Sequence, residues 1–284
     1  MTQEERNALQ RWAEHHKALA ADVPVEDWLS QSEIDKKRKK LEEDPIKWIK
    51  YFFPKYAKYE FAPFHVRAIK RVIEHDEWYE VLSWSRELAK STVAMFICMY
   101  LALTKRKRFF VLASATIDSA KRLLAPYKIN FESNPRIRQF YGSQVTLGQW
   151  TDGEFTAKCG AKFVALGAGS APRGARNEEV RPDVIYMDDY DTDEDCRNPE
   201  TLKKKWDWFE ASLYPTRSIS EPTLILWCGN IIAKDCCIKK AGAKARHWDI
   251  VNIRDKDGHS TWPAKNTEEQ IDTVLSNIST KSAQ

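Results

Sequence analysis

The 284-residue sequence is poor in glycine, with only 10, and this matters most in one loop discussed below. It has no apolar run approaching the roughly 20 residues needed to cross a bilayer. Its polar start, MTQEERNALQRWAEHHKALA, lacks the hydrophobic segment of a signal peptide, so an intracellular protein is expected. The six cysteines (Cys98, Cys159, Cys196, Cys228, Cys236, Cys237) form no CxxC pair. That excludes the common zinc ribbons and points to reduced structural thiols. Internal repeats and low-complexity tails are also missing, which argues against solenoids and linkers.

The net charge of +4 is small, but the positive residues are clumped in KKRKK (36–40), KRKR (105–108) and KKK (203–205). Such clusters can face nucleic acid, or can equally be solvated helix faces and loop ends. The length suits one large α/β domain.

The first 80 residues read as helical, with a segment near 3–20 and another over about 31–53, punctuated by Pro24, Pro45, Pro54 and Pro63. Beyond Tyr79 the pattern changes. Short apolar runs at 80–84, 109–114, 183–189, 223–228 and 249–253 read as buried strands of a mainly parallel sheet. Amphipathic helical stretches separate them in the βαβ manner. The stretch 144–169 suggests an antiparallel insertion.

The segment VLSWSRELAKST (81–92) runs from a strand into a helix and ends in Lys90-Ser91-Thr92, as phosphate-binding loops do. Such loops curl backbone N–H groups around phosphates while a lysine reaches the outer phosphates and a hydroxyl binds Mg²⁺. Here the two usual glycine positions hold Trp84 and Ala89. Ala89 can serve if its φ is negative.

A second motif lies about a hundred residues on. In DVIYMDDYDTDED an apolar strand delivers Asp188 and Asp189 at its C-terminal edge, where open parallel sheets bind ligands. Asp188 is the candidate Mg²⁺ carboxylate and Asp189 the candidate catalytic one, orienting and deprotonating water. The spacing is compatible with adjacent strands for the two motifs. A solvated acidic loop or a loose calcium site is the simpler alternative, although the run lacks the glycine and terminal glutamate of an EF-hand.

Ser85-Arg86-Glu87-Leu88-Ala89-Lys90-Ser91-Thr92 resembles the deviant phosphate loop of large terminase subunits of tailed bacteriophages, in which an arginine sits four residues before the lysine. SAPRGARNEEVRPDVIYMDDYDTDEDCRNPETLKKKWDWFEASLYP is similar to that family's "RG…RPD…DD…NPE…WF…P" block, and TLILWCGNIIAKD resembles its coupling strand and loop. Pro63-Phe64-His65 resembles its "PFH" segment. The resemblance spans about residues 60–284.

The resemblance implies a RecA-like P-loop NTPase sheet (ASCE class) flanked by helices. It divides the chain into an N-terminal helical segment (1–60), an ATPase domain (61–255) and a C-terminal helical linker (256–284) ending before the family's nuclease domain, so no nuclease activity is expected. It implies ATP as substrate with Mg²⁺, Lys90 on the β/γ-phosphates, Ser91 and Asp188 on the metal, and Asp189 as catalytic carboxylate. Arg86 would stabilise the transferring phosphoryl group, residues 85–92 would cradle the nucleotide, Phe64 and His65 would contact adenine, and Gly229 and Asn230 would couple hydrolysis to movement. Implied partners are double-stranded DNA, a portal protein, a small terminase subunit and a homo-oligomeric ring in the host cytoplasm. Arg173 and Arg176 are candidates to act in trans. The family's catalytic position is more often glutamate, so Asp191 is a candidate to share the role of the shorter Asp189.

Two rival readings remain open at this level. ASAT (113–116) resembles a segment of helicase-like P-loop ATPases. The missing glycines also fit a non-catalytic assembly module.

Overall fold

The computed structural model describes residues 24–172 and 180–277. The helical stretch expected over 31–53 is two helices, α1 (Gln31–Glu42) and α2 (Pro45–Phe52). Pro45 cannot continue α1 because its ring removes an N–H donor, but it suits the first turn of α2, where Asp44 caps the amides of Ile46 and Lys47. The segment near 3–20 lies outside the described residues. After α3 (Pro63–Glu74) the expected alternation begins: β1 (Trp78–Trp84), α4 (Lys90–Leu103), β2 (Phe109–Ser114), α5 (Ile117–Ser133) and α6 (Pro135–Tyr141).

The remaining elements are β3 (Glu154–Thr156), β4 (Lys162–Gly167), β5 (Val184–Asp188), α7 (Asp193–Arg197), α8 (Pro199–Trp208), β6 (Leu224–Cys228), α9 (Cys237–Lys244), β7 (His247–Val251) and α10 (Glu268–Ser276). A π turn, Phe209–Leu213, extends α8. The strands form one seven-stranded sheet in the order β3-β4-β2-β5-β6-β1-β7. Every pairing is parallel except β3 with β4. The antiparallel part is thus β3 alone, since β4 joins β2 in parallel and continues the sheet.

One expectation is corrected. β1 and β5, which carry the lysine loop and the aspartates, are not neighbours, because β6 is inserted between them and pairs with both. The inserted strand brings a further strand end, Cys228-Gly229-Asn230, to the same edge.

Both faces of the sheet are covered, which is why its strands read as continuous apolar runs. One layer joins Trp48, Phe52 and Phe53 of the N-terminal region to Phe64, Trp84, Phe96, Tyr127 and Trp262. The other packs Trp206, Trp208, Phe209 and Ile238 against Val111, Ile185 and Trp227. The first layer is therefore continuous across residue 60 and reaches into the segment after residue 256. Trp206, Trp208 and Trp227 are core residues, as their number in a globular chain suggests. All six cysteines are free. Among the described residues no helix is long and apolar enough to cross a membrane.

Candidate nucleotide site

β1 ends in Trp84, and α4 begins at Lys90. The five residues between them form the loop, and its conformation explains both departures from the glycine pattern. Trp84 is still a strand residue, buried and packed on Phe64 with ring centroids 4.9 Å apart, so no glycine is needed there. Ala89 is different. It takes φ 59° and ψ 28°, the left-handed region, and not the negative φ that would make alanine an easy substitute. Glu87 is left-handed as well, with φ 70°. A side chain in this region costs about 1 kcal/mol, because its Cβ crowds the carbonyl oxygen. The glycine-like backbone has been kept without the glycines.

Several contacts hold that shape. The Ser85 N–H donates to Val251 O at 2.8 Å, and Leu88 N–H turns back to Ser85 O at 3.3 Å. His65 Nε2 donates to Leu88 O at 3.0 Å, while His65 Nδ1 accepts from the Ala62 N–H at 3.0 Å. Lys265, beyond β7, donates to both the carbonyl and the carboxylate of Glu87, at 2.9 and 2.7 Å. The amides of Arg86, Glu87 and Ala89 donate to no protein acceptor among the described residues, which leaves them available to an anion.

The expectation that Phe64 and His65 touch a nucleotide is corrected. Both are buried, with Phe64 against Trp84 and His65 under the loop against Trp262. Burial lowers the His65 pKa to about 4, with the Lys265 charge acting in the same direction. His65 is a neutral brace for the loop backbone.

The loop borders a cavity of about 580 Å³ over the C-terminal ends of the strands. Arg86, Lys90, Asp188, Asp189, Gly229 and Asn230 all line it. The ends of β1, β2, β5 and the inserted β6 all meet there. Lys90 Nζ donates to Asn230 Oδ1 at 2.9 Å, and the Asp189 N–H donates to Cys228 O at 3.1 Å. Asp189 is exposed toward the cavity and takes φ 40°, a third left-handed residue without glycine.

Asp188 is buried, and its Oδ1 has no hydrogen-bond partner. Burial and, next, the Asp189 charge raise its pKa to about 6, against the pull of the Ser91 hydroxyl and the Lys90 ammonium. A buried carboxylate oxygen without a donor, beside a serine hydroxyl, suits a hard divalent cation. No group of three or more His, Cys, Asp or Glu converges among the described residues, so such an ion would take its other ligands from water and phosphate.

Asp191, the candidate to share the role expected of Asp189, lines the cavity too but is already engaged by the backbone. Its two oxygens accept the N–H groups of Cys237 and Ile238 at 2.8 and 2.9 Å, at the start of α9. Sequence reasoning missed this cap and the Lys265 contact. It also missed Ser114, Ser119 and Arg122, which line the cavity from β2 and α5, with Arg122 Nη2 donating to Ser119 Oγ at 2.9 Å. The ASAT segment was a signal for their position, whereas nothing in the sequence marked Lys265. Arg173 and Arg176 lie outside the described residues.

The chain matches no family model, and no curated protein matches it. Among solved structures it is similar to a mutant of the large terminase ATPase domain of Thermus phage P74-26, at 13% identity and TM-score 0.48, covering 81% of this chain and 93% of that one. It is also similar to S. cerevisiae Dbp5 in complex with Nup159, Gle1, IP6 and ADP, at 9% identity and TM-score 0.44, covering 76% and 52%. A third similar structure is the Phi-28 gp11 DNA packaging motor, at 10% identity and TM-score 0.33, covering 66% and 59%.

Proposed function

We propose that this chain is the ATP-hydrolysing motor domain of a viral DNA-packaging terminase, coupling ATP hydrolysis to movement of double-stranded DNA. The observation that supports it best is the convergence of Lys90, Ser91, Asp188, Asp189 and Asn230 at one sheet edge, from three strand ends far apart in sequence.

In this reading the free amides of residues 86, 87 and 89, with Lys90 and Arg86, bind the triphosphate. Ser91 and Asp188 hold Mg²⁺, which would neutralise charge on the phosphate oxygens. Asp189, fixed by its amide on β6, accepts the proton of the attacking water. Arg86 and Lys90 place positive charge against the negative charge spread over the oxygens of the transferring phosphoryl group. Phosphate groups compete with Asn230 for Lys90, which ties nucleotide arrival to the loop after β6. A homo-oligomeric ring on a portal, a small terminase partner and an arginine supplied in trans by Arg173 or Arg176 complete the proposal.

Phosphate release by the wild type and by Lys90→Ala, with and without duplex DNA, tests the enzyme. We expect release to fall roughly 100-fold or more in the variant. Equal background release from both proteins would instead favour the assembly module. Processive unwinding of forked DNA would favour the helicase-like reading.

A further inference from the structure

We propose that Asp191 is a positioning residue that keeps the Asn230 loop in step with the carboxylate strand, so that release of Lys90 is felt at Asp189. The proposal rests on the nucleotide reading above.

α9 begins after Cys236, whose side chain makes no cap hydrogen bond. Its first amides would lack acceptors, but Asp191 reaches across from the loop after β5 and takes two of them, Cys237 and Ile238. The negative charge also sits well at the positive end of the helix.

This cap closes a circuit. The loop 229–236 is tied at its start, where the Gly229 N–H donates to Leu82 O at 3.3 Å and Cys228 O accepts from Asp189. Ile238 crowds that same start, since a Cβ on Gly229 would lie 2.9 Å from its Cδ1. At its far end the loop is tied by Asp191. Between the two ties stands Asn230, which holds Lys90. Asp189 and Asp191 are two residues apart on a single short segment. A shift of Asn230 when phosphate claims Lys90 therefore has a stiff route to Asp189 besides the β6 backbone, through the Asp191 carboxylate. Asp191 itself lines the cavity with Asp188 and Asp189, a placement that an ordinary helix cap would not need.

Hydrogen exchange of the whole chain, with and without a non-hydrolysable ATP analogue and Mg²⁺, tests this in the wild type, Asp191→Ala and Asp191→Asn. In the wild type the analogue should slow exchange in peptides covering 85–92, 186–193 and 229–238 together. In Asp191→Ala the slowing should persist at 85–92 and 229–238 but vanish at 186–193, and kcat should fall about tenfold with little change in KM. Asp191→Asn keeps an acceptor oxygen and should recover much of both. If Asp191→Ala loses thermal stability yet shows the wild-type exchange pattern and kcat, Asp191 is only a cap and the proposal is overturned. If the wild type shows no slowing at 85–92, the nucleotide reading itself fails, and this inference with it.

Discussion

Lys90 and Asn230 satisfy one another across 2.9 Å, a contact between residues 140 positions apart. In the proposed reading Lys90 also binds phosphate, and Asn230 is its neutral competitor. Asn230→Ala removes that competitor. We expect the affinity for a fluorescent ATP analogue to stay the same or rise by about two- to fivefold, while turnover drops because the link to the β6 loop is lost. Titration of the analogue together with steady-state phosphate release separates the two effects.

The left-handed Ala89 gives a stability prediction. Ala89→Gly removes the Cβ that opposes φ 59°. A gain of about 1 kcal/mol is largely offset by the extra chain entropy of glycine, about 0.5–1 kcal/mol, so we expect a net stabilisation of no more than about 0.5 kcal/mol. Urea unfolding should show a higher midpoint at unchanged slope.

His65 predicts a pH dependence. Its folded pKa is about 4, below the ordinary value of 6.5. Between these values the unfolded chain binds the extra proton, so stability rises with pH through this window. The contribution is fully present above pH 6.5 and is lost progressively as the pH falls toward 4, by about 3 kcal/mol in all. Protonation would also cost Nδ1 its bond from Ala62. In His65→Gln the unfolding free energy should change less between pH 7.5 and 4.5 than in the wild type.

The basic clusters sort themselves by their partners. Lys107 is buried, donating to the carbonyls of Asp76 and Pro222, and Arg106 pairs with Asp76. Lys205 is buried against Asp195 and the Tyr190 carbonyl. Lys105, Arg108 and Lys158 stay exposed around two adjoining hollows at the opposite end of β2 from the nucleotide cavity, and neither hollow is lined by a carboxylate. Reversing these three charges should weaken duplex DNA binding equally for unrelated sequences. It should also make the slope of log affinity against log salt shallower by roughly 2 to 3. Fluorescence anisotropy across a salt series measures both, with the paired Lys203→Glu as control.

The central strands β1, β2, β5 and β6 were legible because each is buried on both faces and so reads as an apolar run. β7 was placed two residues late, since only its second half carries that signal and His247 and Trp248 are half-buried. Lys90, Asp188 and Asp189 were legible because a cation opening a helix and carboxylates closing a strand are local patterns. His65 was misread for the opposite reason. Its role depends on Leu88 and Ala62, and a motif does not reveal which atoms its histidine meets. The sign of φ at Ala89 was also out of reach, because an alanine names no backbone region. Asp191 and Lys265 act over 46 and 178 residues, beyond any spacing rule.

The Lys265 contact gives the tail of the chain a mechanical meaning. Its ammonium is a peg on Glu87, with Trp262 set against His65 behind it, at a loop that holds two strained residues. Whatever tugs on residues 262–276 pulls on that peg. In the proposed reading, a displacement of residues 262–276 would therefore reach the 85–89 loop from outside the cavity.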